Sequence, residues 1–289
     1  RIGEIAQVQI VPNTPHTDII NTSVTAASKA QMDSLRLPSL SVSRRGANVF
    51  VVEGALALAE KPQKFERTVA QPEVFAGQIL RELLRQNGIK FNGSVLRGLR
   101  PAQAVTLAEH RAPLMPLLLN LNKISDNLSA ELLLKVVAAE RAGRPGTGEK
   151  GMSVIRRFLA TAQVDTNALN LADGSGVSRY NLITPDEIVK LLIAMWRDFS
   201  VRNEFLTTLP IAGVDGTLAN RMKGTAAAGI LRAKTGSLSG VSSLSGYTTT
   251  AEGEEIVFAM MMQHFLGSAG GVRRVQDKIG AEMSGFRRR

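Results

Sequence analysis

Several residue types are absent or scarce in this chain of 289 residues. Cysteine is absent, which excludes disulfides, thiolate metal sites and a cysteine nucleophile. Aromatic residues make up only 4%, so there are few surfaces on which single-stranded nucleic acid could stack. The longest apolar runs, such as residues 255–262, are far shorter than the roughly 20 residues that a membrane-spanning helix needs. We therefore expect neither a membrane-spanning protein nor cysteine chemistry.

Metal and cofactor motifs are also missing. The three histidines lie far apart at positions 16, 110 and 264, without the spacing of a metal site. The sequence contains neither a glycine-rich phosphate loop nor a dinucleotide-binding fingerprint. We therefore predict no metal and no cofactor.

The net charge of +10 could suit a polyanionic partner such as nucleic acid or the bacterial envelope. The basic residues are dispersed, however, and their clusters are short, such as Arg44-Arg45 and the terminal residues 287–289. Dispersed charge and few aromatic residues argue against a nucleic-acid partner. Peripheral association with the envelope remains compatible with the charge.

The composition of 44% hydrophobic and 21% charged residues is typical of a soluble globular protein. Residues 1–66 are rich in β-type patterns, with predicted strands at 6–12 and 47–53 separated by a segment rich in Thr, Ser and Asn. From Pro72 the pattern becomes helical, so we place a boundary near residue 67. The first part is interpreted as the remnant of a small β-rich module, and residues 67–289 as the main domain.

The main domain is predicted to be α+β. Apolar residues recur at helical spacing in four segments, and three strand-like runs joined by short turns predict an antiparallel meander before a final helix. Thr184, Pro185 and Glu187 have the pattern of a helix N-cap with a capping box. The predicted helices lie near residues 75–87, 114–141, 153–162 and 184–198, the strands near 230–237, 241–249 and 254–263, and the final helix near 269–283.

Three short polar motifs are candidates for a functional site. Lys234-Thr235-Gly236, followed by Ser237, would place a cation, hydroxyls and a residue without a side chain on one predicted strand. Ser125-Asp126-Asn127 lies in a helical segment, which must be interrupted there if Ser125 and Asn127 are to face one cleft. The third motif is the glycine-rich turn 173–176, followed by Arg179. Each motif alone is also compatible with an ordinary surface strand, helix cap or turn.

Taken together and in their order along the chain, the three motifs resemble those of the penicillin-recognising serine hydrolases. Within that group they resemble those of the low-molecular-mass class C penicillin-binding proteins. These are D-alanyl-D-alanine carboxypeptidases/endopeptidases. The resemblance extends from residues 51–54 to residues 231–237 and implies an α/β/α layered domain, with an antiparallel sheet flanked by helices. It also implies peptidoglycan stem peptides and β-lactam antibiotics as ligands, and a periplasmic or other extracytoplasmic location.

The resemblance further implies roles for individual residues. Ser125, Asn127 and Lys234 would be catalytic: Ser125 and Lys234 would relay a proton to the departing amine, and Asn127 would bind the substrate amide. The implied substrate-binding residues are Thr235 for the terminal carboxylate, Gly236, Ser237 as an oxyanion-hole donor through its N–H, and Arg179 for the stem-peptide side chain.

One motif of that family is missing. Its nucleophile lies in a Ser-x-x-Lys sequence, and no serine of this chain has a lysine three positions later. We therefore expect the chain to be an N-terminally incomplete serine peptidase that is inactive alone. Two alternatives stay open: a catalytically dead wall-binding or scaffolding relative, and a related β-lactamase.

Overall fold

A computed structural model describes residues 1–288 of the chain. The chain divides into two compact units between Ala108 and Glu109. This division comes later than the predicted boundary near residue 67, because the helix that follows that point belongs to the first unit. The assignment of residues 67–289 to a single functional domain stays a prediction.

The first unit contains two small sheets and two helices. Strand β4 pairs in parallel with β1 and antiparallel with β3, and β2 pairs in parallel with β5. Its small core includes Met32 and three alanines. The elements are β1 (Asp18–Asn21), β2 (Val24–Ala26), α1 (Lys29–Ser34), β3 (Ser41–Arg45), β4 (Val49–Glu53), β5 (Ala55–Ala57) and α2 (Pro72–Gln86).

The second unit consists of helices around one sheet. Among the described helices, none is both long and apolar enough to cross a membrane. The elements are α3 (Leu114–Asn120), a π-helical turn (Leu121–Ser125), α4 (Asn127–Ala142), α5 (Gly148–Thr161), α6 (Pro185–Arg197), α7 (Arg202–Thr208), a 3-10 turn (Gly216–Leu218), β6 (Arg232–Leu238), β7 (Val241–Thr249), β8 (Glu255–Gln263) and α8 (Gly270–Gly285).

The sheet of the second unit is an antiparallel meander in the order β6-β7-β8. Helix α6 packs on one face, where the Tyr247 hydroxyl donates to the Leu192 carbonyl at 2.7 Å. Helix α8 packs on the other face, where Gln276 hydrogen-bonds Ser242. Residues 242 and 247 point to opposite faces because side chains alternate along a strand. The predicted α/β/α layering is therefore confirmed.

The core of this unit surrounds β6 and β7 on the α8 side. Leu218, Leu231 and Leu244 are fully buried in one cluster. A second cluster on the α6 side joins Leu192 and Tyr247. A packed apolar layer on the α8 side thus supports the strand that carries the Lys234 motif.

Most predicted elements are present, with some corrections. The strand predicted at residues 6–12 is wrong, because these residues adopt no regular strand. Helices α1 and α7 were not predicted, and α5 begins at Gly148, before the predicted start near residue 153. The capping box is confirmed, since Glu187 N–H donates to Thr184 Oγ1 and Thr184 N–H donates to Glu187 Oε2.

Candidate active site

The Lys234 motif lies on β6, at an edge of the three-stranded sheet. The first part of this edge is covered, since Ala233 N–H donates to the Pro210 carbonyl at 2.9 Å on the side away from β7. Backbone N–H groups two residues apart point to the same side of a strand. The Ser237 N–H therefore faces the open edge, where an extended peptide could lie and an oxyanion could be bound.

Gly236 is the motif residue without a side chain. Its partner across β7 is Ser243, and a Cβ at position 236 would collide with the Ser243 Oγ. Glycine therefore avoids a collision with β7 at this point, and its expected role beside a substrate stays a prediction.

The Ser125 motif lies where the helical segment is interrupted. The π-helical turn ends with the Asp126 N–H bonded to the Leu121 carbonyl at 3.1 Å. Ser125 has a φ of 66°, in the left-handed region that a serine rarely adopts. The predicted interruption is thus confirmed. It turns Ser125 out of the helix, and Asn127 begins the next helix with an exposed side chain.

Asp126 is the N-cap of α4. Its carboxylate accepts from the Ser129 N–H at 3.0 Å and from the Ser129 hydroxyl in a short hydrogen bond. The hydroxyl bond first, and then the N–H bond, lower the pKa of Asp126 below its usual range. The capping interpretation of Asp126 is therefore confirmed, and the assignment of Ser125 to the site stays a prediction.

The two motifs meet at a single hydrogen bond. The Lys234 ammonium donates to Ser125 Oγ at 2.7 Å and to the Thr235 carbonyl at 3.0 Å. Lys234 is half-buried, and this burial lowers its pKa from the usual value. A lysine with a lowered pKa in contact with a serine hydroxyl can pass a proton to a group placed beside that hydroxyl.

Hydroxyl groups extend the site along β6. Thr235 Oγ1 donates to Thr217 Oγ1 at 2.8 Å, and the Arg273 guanidinium donates to Ser237 Oγ at 3.0 Å. Neither Thr217 nor Arg273 was identified from the sequence, since they come from the 3-10 turn and from α8. A carboxylate placed at Thr235 and Ser237 would lie near both hydroxyls and the Arg273 charge.

The third motif forms a loop that is anchored to α4. Glu131 Oε1 accepts from the N–H groups of Gly174 and Ser175, each at 3.0 Å. Beyond this anchor, Arg179 Nη2 donates to the carbonyl of Ser239 at 2.7 Å, just after the end of β6. The loop therefore brings Arg179 to the same strand as the Lys234 motif. Glu131 was not singled out from the sequence, although it lies six residues after Ser125.

Comparison with known proteins identifies the family. The sequence model of the D-Ala-D-Ala carboxypeptidase 3 (S13) family matches residues 1–282. The chain belongs to this family. Its class C penicillin-binding resemblance is thereby confirmed.

Two relatives of this S13 family member illustrate the match. The D-alanyl-D-alanine carboxypeptidase of Actinomadura sp. (strain R39) is 37% identical over 98% of this chain and 53% of its own length. The D-alanyl-D-alanine carboxypeptidase DacB of Haemophilus influenzae is 36% identical over 75% of this chain and 46% of its own. The chain thus spans about half the length of the curated relatives that it matches.

Solved structures agree with the fold of this S13 family member. The crystal structure of penicillin binding protein 4 (dacB) from Haemophilus influenzae superposes with a TM-score of 0.82 and 29% identity, over 99% of this chain and 64% of the other. A second structure of that protein, complexed with a novel β-lactam, gives a TM-score of 0.80. The penicillin-recognising serine hydrolase fold is therefore confirmed.

Proposed function

We propose that this chain supplies the proton-relay and substrate-binding part of a serine-type D-Ala-D-Ala carboxypeptidase/endopeptidase that acts on peptidoglycan stem peptides. The observation that carries the proposal is the 2.7 Å hydrogen bond between Lys234 and Ser125, beside the open edge of β6. Two relatives named as D-alanyl-D-alanine carboxypeptidases support this function.

In the proposed reaction, a serine outside this chain attacks the carbonyl carbon of the bond between the two D-alanines. The C–N bond breaks, and the proton that the attacking serine loses passes through Ser125, with Lys234 beside it, to the departing amine. Water then hydrolyses the serine ester and releases the shortened peptide, which regenerates the serine. The lowered pKa of Lys234 makes its ammonium a better proton donor to Ser125.

Substrate binding would use the open edge of β6. The Ser237 N–H would be one oxyanion-hole donor, a type of contact typically worth about 3 kcal/mol in the transition state. Thr235 would bind the terminal carboxylate, and Gly236 would keep the strand free for the peptide. Asn127 would hydrogen-bond the substrate amide.

Arg179 would contribute to the choice of stem peptide. Its guanidinium bonds the Ser239 carbonyl just beyond the proposed carboxylate site and is exposed. An arginine there would favour a stem-peptide side chain with a carboxylate.

β-Lactam antibiotics would acylate the same external serine. This expectation is supported by the β-lactam complex of the Haemophilus influenzae relative. Because peptidoglycan lies outside the cytoplasm, we place the protein in the periplasm or elsewhere in the extracytoplasmic envelope.

A second candidate function is a wall-binding or scaffolding protein without catalysis. The observation that favours it is the absence of any Ser-x-x-Lys from the 289 residues. Such a protein would bind stem peptides along β6 but form no acyl-enzyme. The two candidates differ in whether a nucleophile accompanies this chain in the protein that the natural gene encodes.

The test is to express the protein encoded by the natural gene and to treat it with a fluorescent penicillin. We expect a covalent label on a serine of a Ser-x-x-Lys motif, and none on residues 1–289 alone. Lys234→Ala should slow labelling by roughly 100-fold or more while the thermal midpoint stays near that of the wild type.

Lys278→Ala removes an exposed lysine on α8 and is the matched control, which should label normally. If the gene encodes no such motif, or the full protein takes no label, the scaffolding function replaces the enzyme.

A further inference from the structure

We propose that Lys123 and Asp215 act together as positioning residues that hold the Ser125 turn against Lys234. The proposal rests on the proposed function only in taking Ser125 as the relay. It assigns a role to a pair that lies behind the site and that no motif identifies.

The ion pair joins the π-helical turn, which carries Lys123, to the segment that follows α7, which carries Asp215. Lys123 Nζ lies 3.0 Å from Asp215 Oδ1 and 2.8 Å from Asp215 Oδ2, and it also donates to the Leu209 carbonyl at 2.5 Å. The Lys123 side chain is only 16% exposed. A lysine with so little water around it depends on these partners, because an unpaired buried charge is costly.

These contacts occupy the three donors of the Lys123 ammonium. Lys123 therefore has no free N–H to offer a substrate. It lies two residues before Ser125, so it cannot substitute for the lysine of a Ser-x-x-Lys motif. Its position instead fixes the backbone that leads into Ser125.

Asp215 is itself held in place by the backbone. Its Oδ1 accepts from the Ile211 N–H at 2.8 Å, which ties the carboxylate to the segment between α7 and the 3-10 turn. Asn122, beside Lys123, donates to Thr208 Oγ1 at 2.7 Å. Two adjacent side chains of the π-helical turn are thus anchored to the same neighbouring segment.

The 3-10 turn lies directly against the backbone of Lys123. A Cβ added at Gly216 would lie 2.6 Å from the Lys123 carbonyl oxygen, and Gly216 has a φ of 56°. The next residue, Thr217, accepts the hydroxyl hydrogen bond of Thr235 on β6. The turn therefore touches both carriers of the site, and the ion pair fixes the distance between them.

The ion pair is needed because Ser125 has a positive φ. A serine in the left-handed region is strained and relaxes unless its surroundings hold it. Without the pair, we expect the π-helical turn to relax, Ser125 to move from Lys234, and water to enter between them.

The experiment follows Lys234 in the full 289-residue chain by NMR of lysine side-chain nitrogens, with the signal assigned from Lys234→Arg. In Asp215→Asn and Lys123→Met, the titration midpoint of Lys234 should rise by roughly half to one pKa unit, because added water favours the charged form. Asp186→Ala breaks the exposed pair of Lys190 and Asp186, and should leave the midpoint unchanged.

The double variant separates positioning from general stability. Replacing both members of a partly buried ion pair often restores the stability that a single replacement loses. We expect the Lys123→Met/Asp215→Asn protein to regain thermal stability while the Lys234 midpoint stays raised. Lys123→Met, alone or in the double variant, serves if Asp215→Asn does not fold.

An unchanged Lys234 midpoint in the folded variants would overturn the proposal and leave the pair a purely structural one. So would a midpoint that returns to the wild-type value in the double variant. The NMR measurement needs no acylation, so failure of penicillin labelling would count against the proposed function and not against the positioning role.

Discussion

Lys234 and Ser125 touch at 2.7 Å, yet the backbone that carries each residue is built differently. Lys234 lies on a regular strand, paired residue by residue with β7 from Arg232 to Leu238. Ser125 ends a π-helical turn with a positive φ, and its neighbours are fixed by side chains from a distant segment. The strand side of the site, which is β6 with Lys234, thus depends on the apolar core packed against it. The turn side, which is the π-helical turn with Ser125, depends on polar contacts with a distant segment.

The strongest test of this comparison is Leu244→Ala on the strand side. Leu244 lies opposite Thr235 and is fully buried. Its truncation should lower the free energy of unfolding by about 2–5 kcal/mol in urea denaturation, because it leaves a cavity beneath the motif. The matched control is Leu128→Ala, where the leucine is 67% exposed and the loss should stay within about 0.5 kcal/mol. Similar losses in the two variants would contradict the dependence on the core.

A smaller effect is expected at the glycines of the strand pair. A Cβ at Gly246 would meet the Arg232 carbonyl and lie 2.6 Å from the Ala233 Cα, which are backbone atoms that cannot rotate away. Gly246→Ala should therefore destabilise by about 1–3 kcal/mol in the same assay.

Gly236→Ala is the control, since it meets only the end of the Ser243 side chain. Its cost should be smaller and should disappear when Ser243→Ala is added. A persistent cost in that double variant would show that the backbone of β6 is strained by any side chain there.

The turn side is tested by two replacements of Ser125 that both remove the hydroxyl. Because φ is 66°, Ser125→Gly should be more stable than Ser125→Ala by about 1 kcal/mol, as judged by thermal unfolding. Equal stabilities would mean that the turn relaxes to an ordinary helix in both variants. On the regular strand β6, where φ is not positive, a glycine would not be expected to be more stable than an alanine.

The smallest effect concerns the pH dependence of the α4 cap. The pKa of Asp126 is lowered in the folded protein, so the stability from its cap is present above its unfolded pKa of about 4 and is lost as pH falls through the lower folded value. Asp126→Asn should flatten the acid limb of a plot of stability against pH. Ser129→Ala, which removes the hydroxyl donor, should move that limb to higher pH; no movement would contradict the assigned cause.

The sequence was informative where local chemistry decides structure. Strands β6, β7 and β8 follow from apolar runs separated by turns, and the N-terminus of α6 follows from Thr184 and Glu187. The interruption at Ser125 was expected on the condition that Ser125 and Asn127 face one cleft, since residues two apart cannot share one helical face. The motifs on these elements were consequently placed before any contact was known.

Other features could not be predicted because they depend on partners that are distant in the sequence. The run 6–12 alternates like a strand but lacks a partner strand, and β-structure requires one. Lys123, Asp215, Thr217 and Arg273 are scattered polar residues whose importance lies in what they contact.

By itself, the sequence determined the family motifs, the meander and the absence of a Ser-x-x-Lys pair, since each depends on residues that are near one another in the chain. Only the tertiary structure decided that Lys234 donates to Ser125 and that Asp215 anchors the turn before Ser125. These contacts join residues 109 and 92 positions apart. Their formation depends on how the core and the sheet pack, which no local pattern encodes.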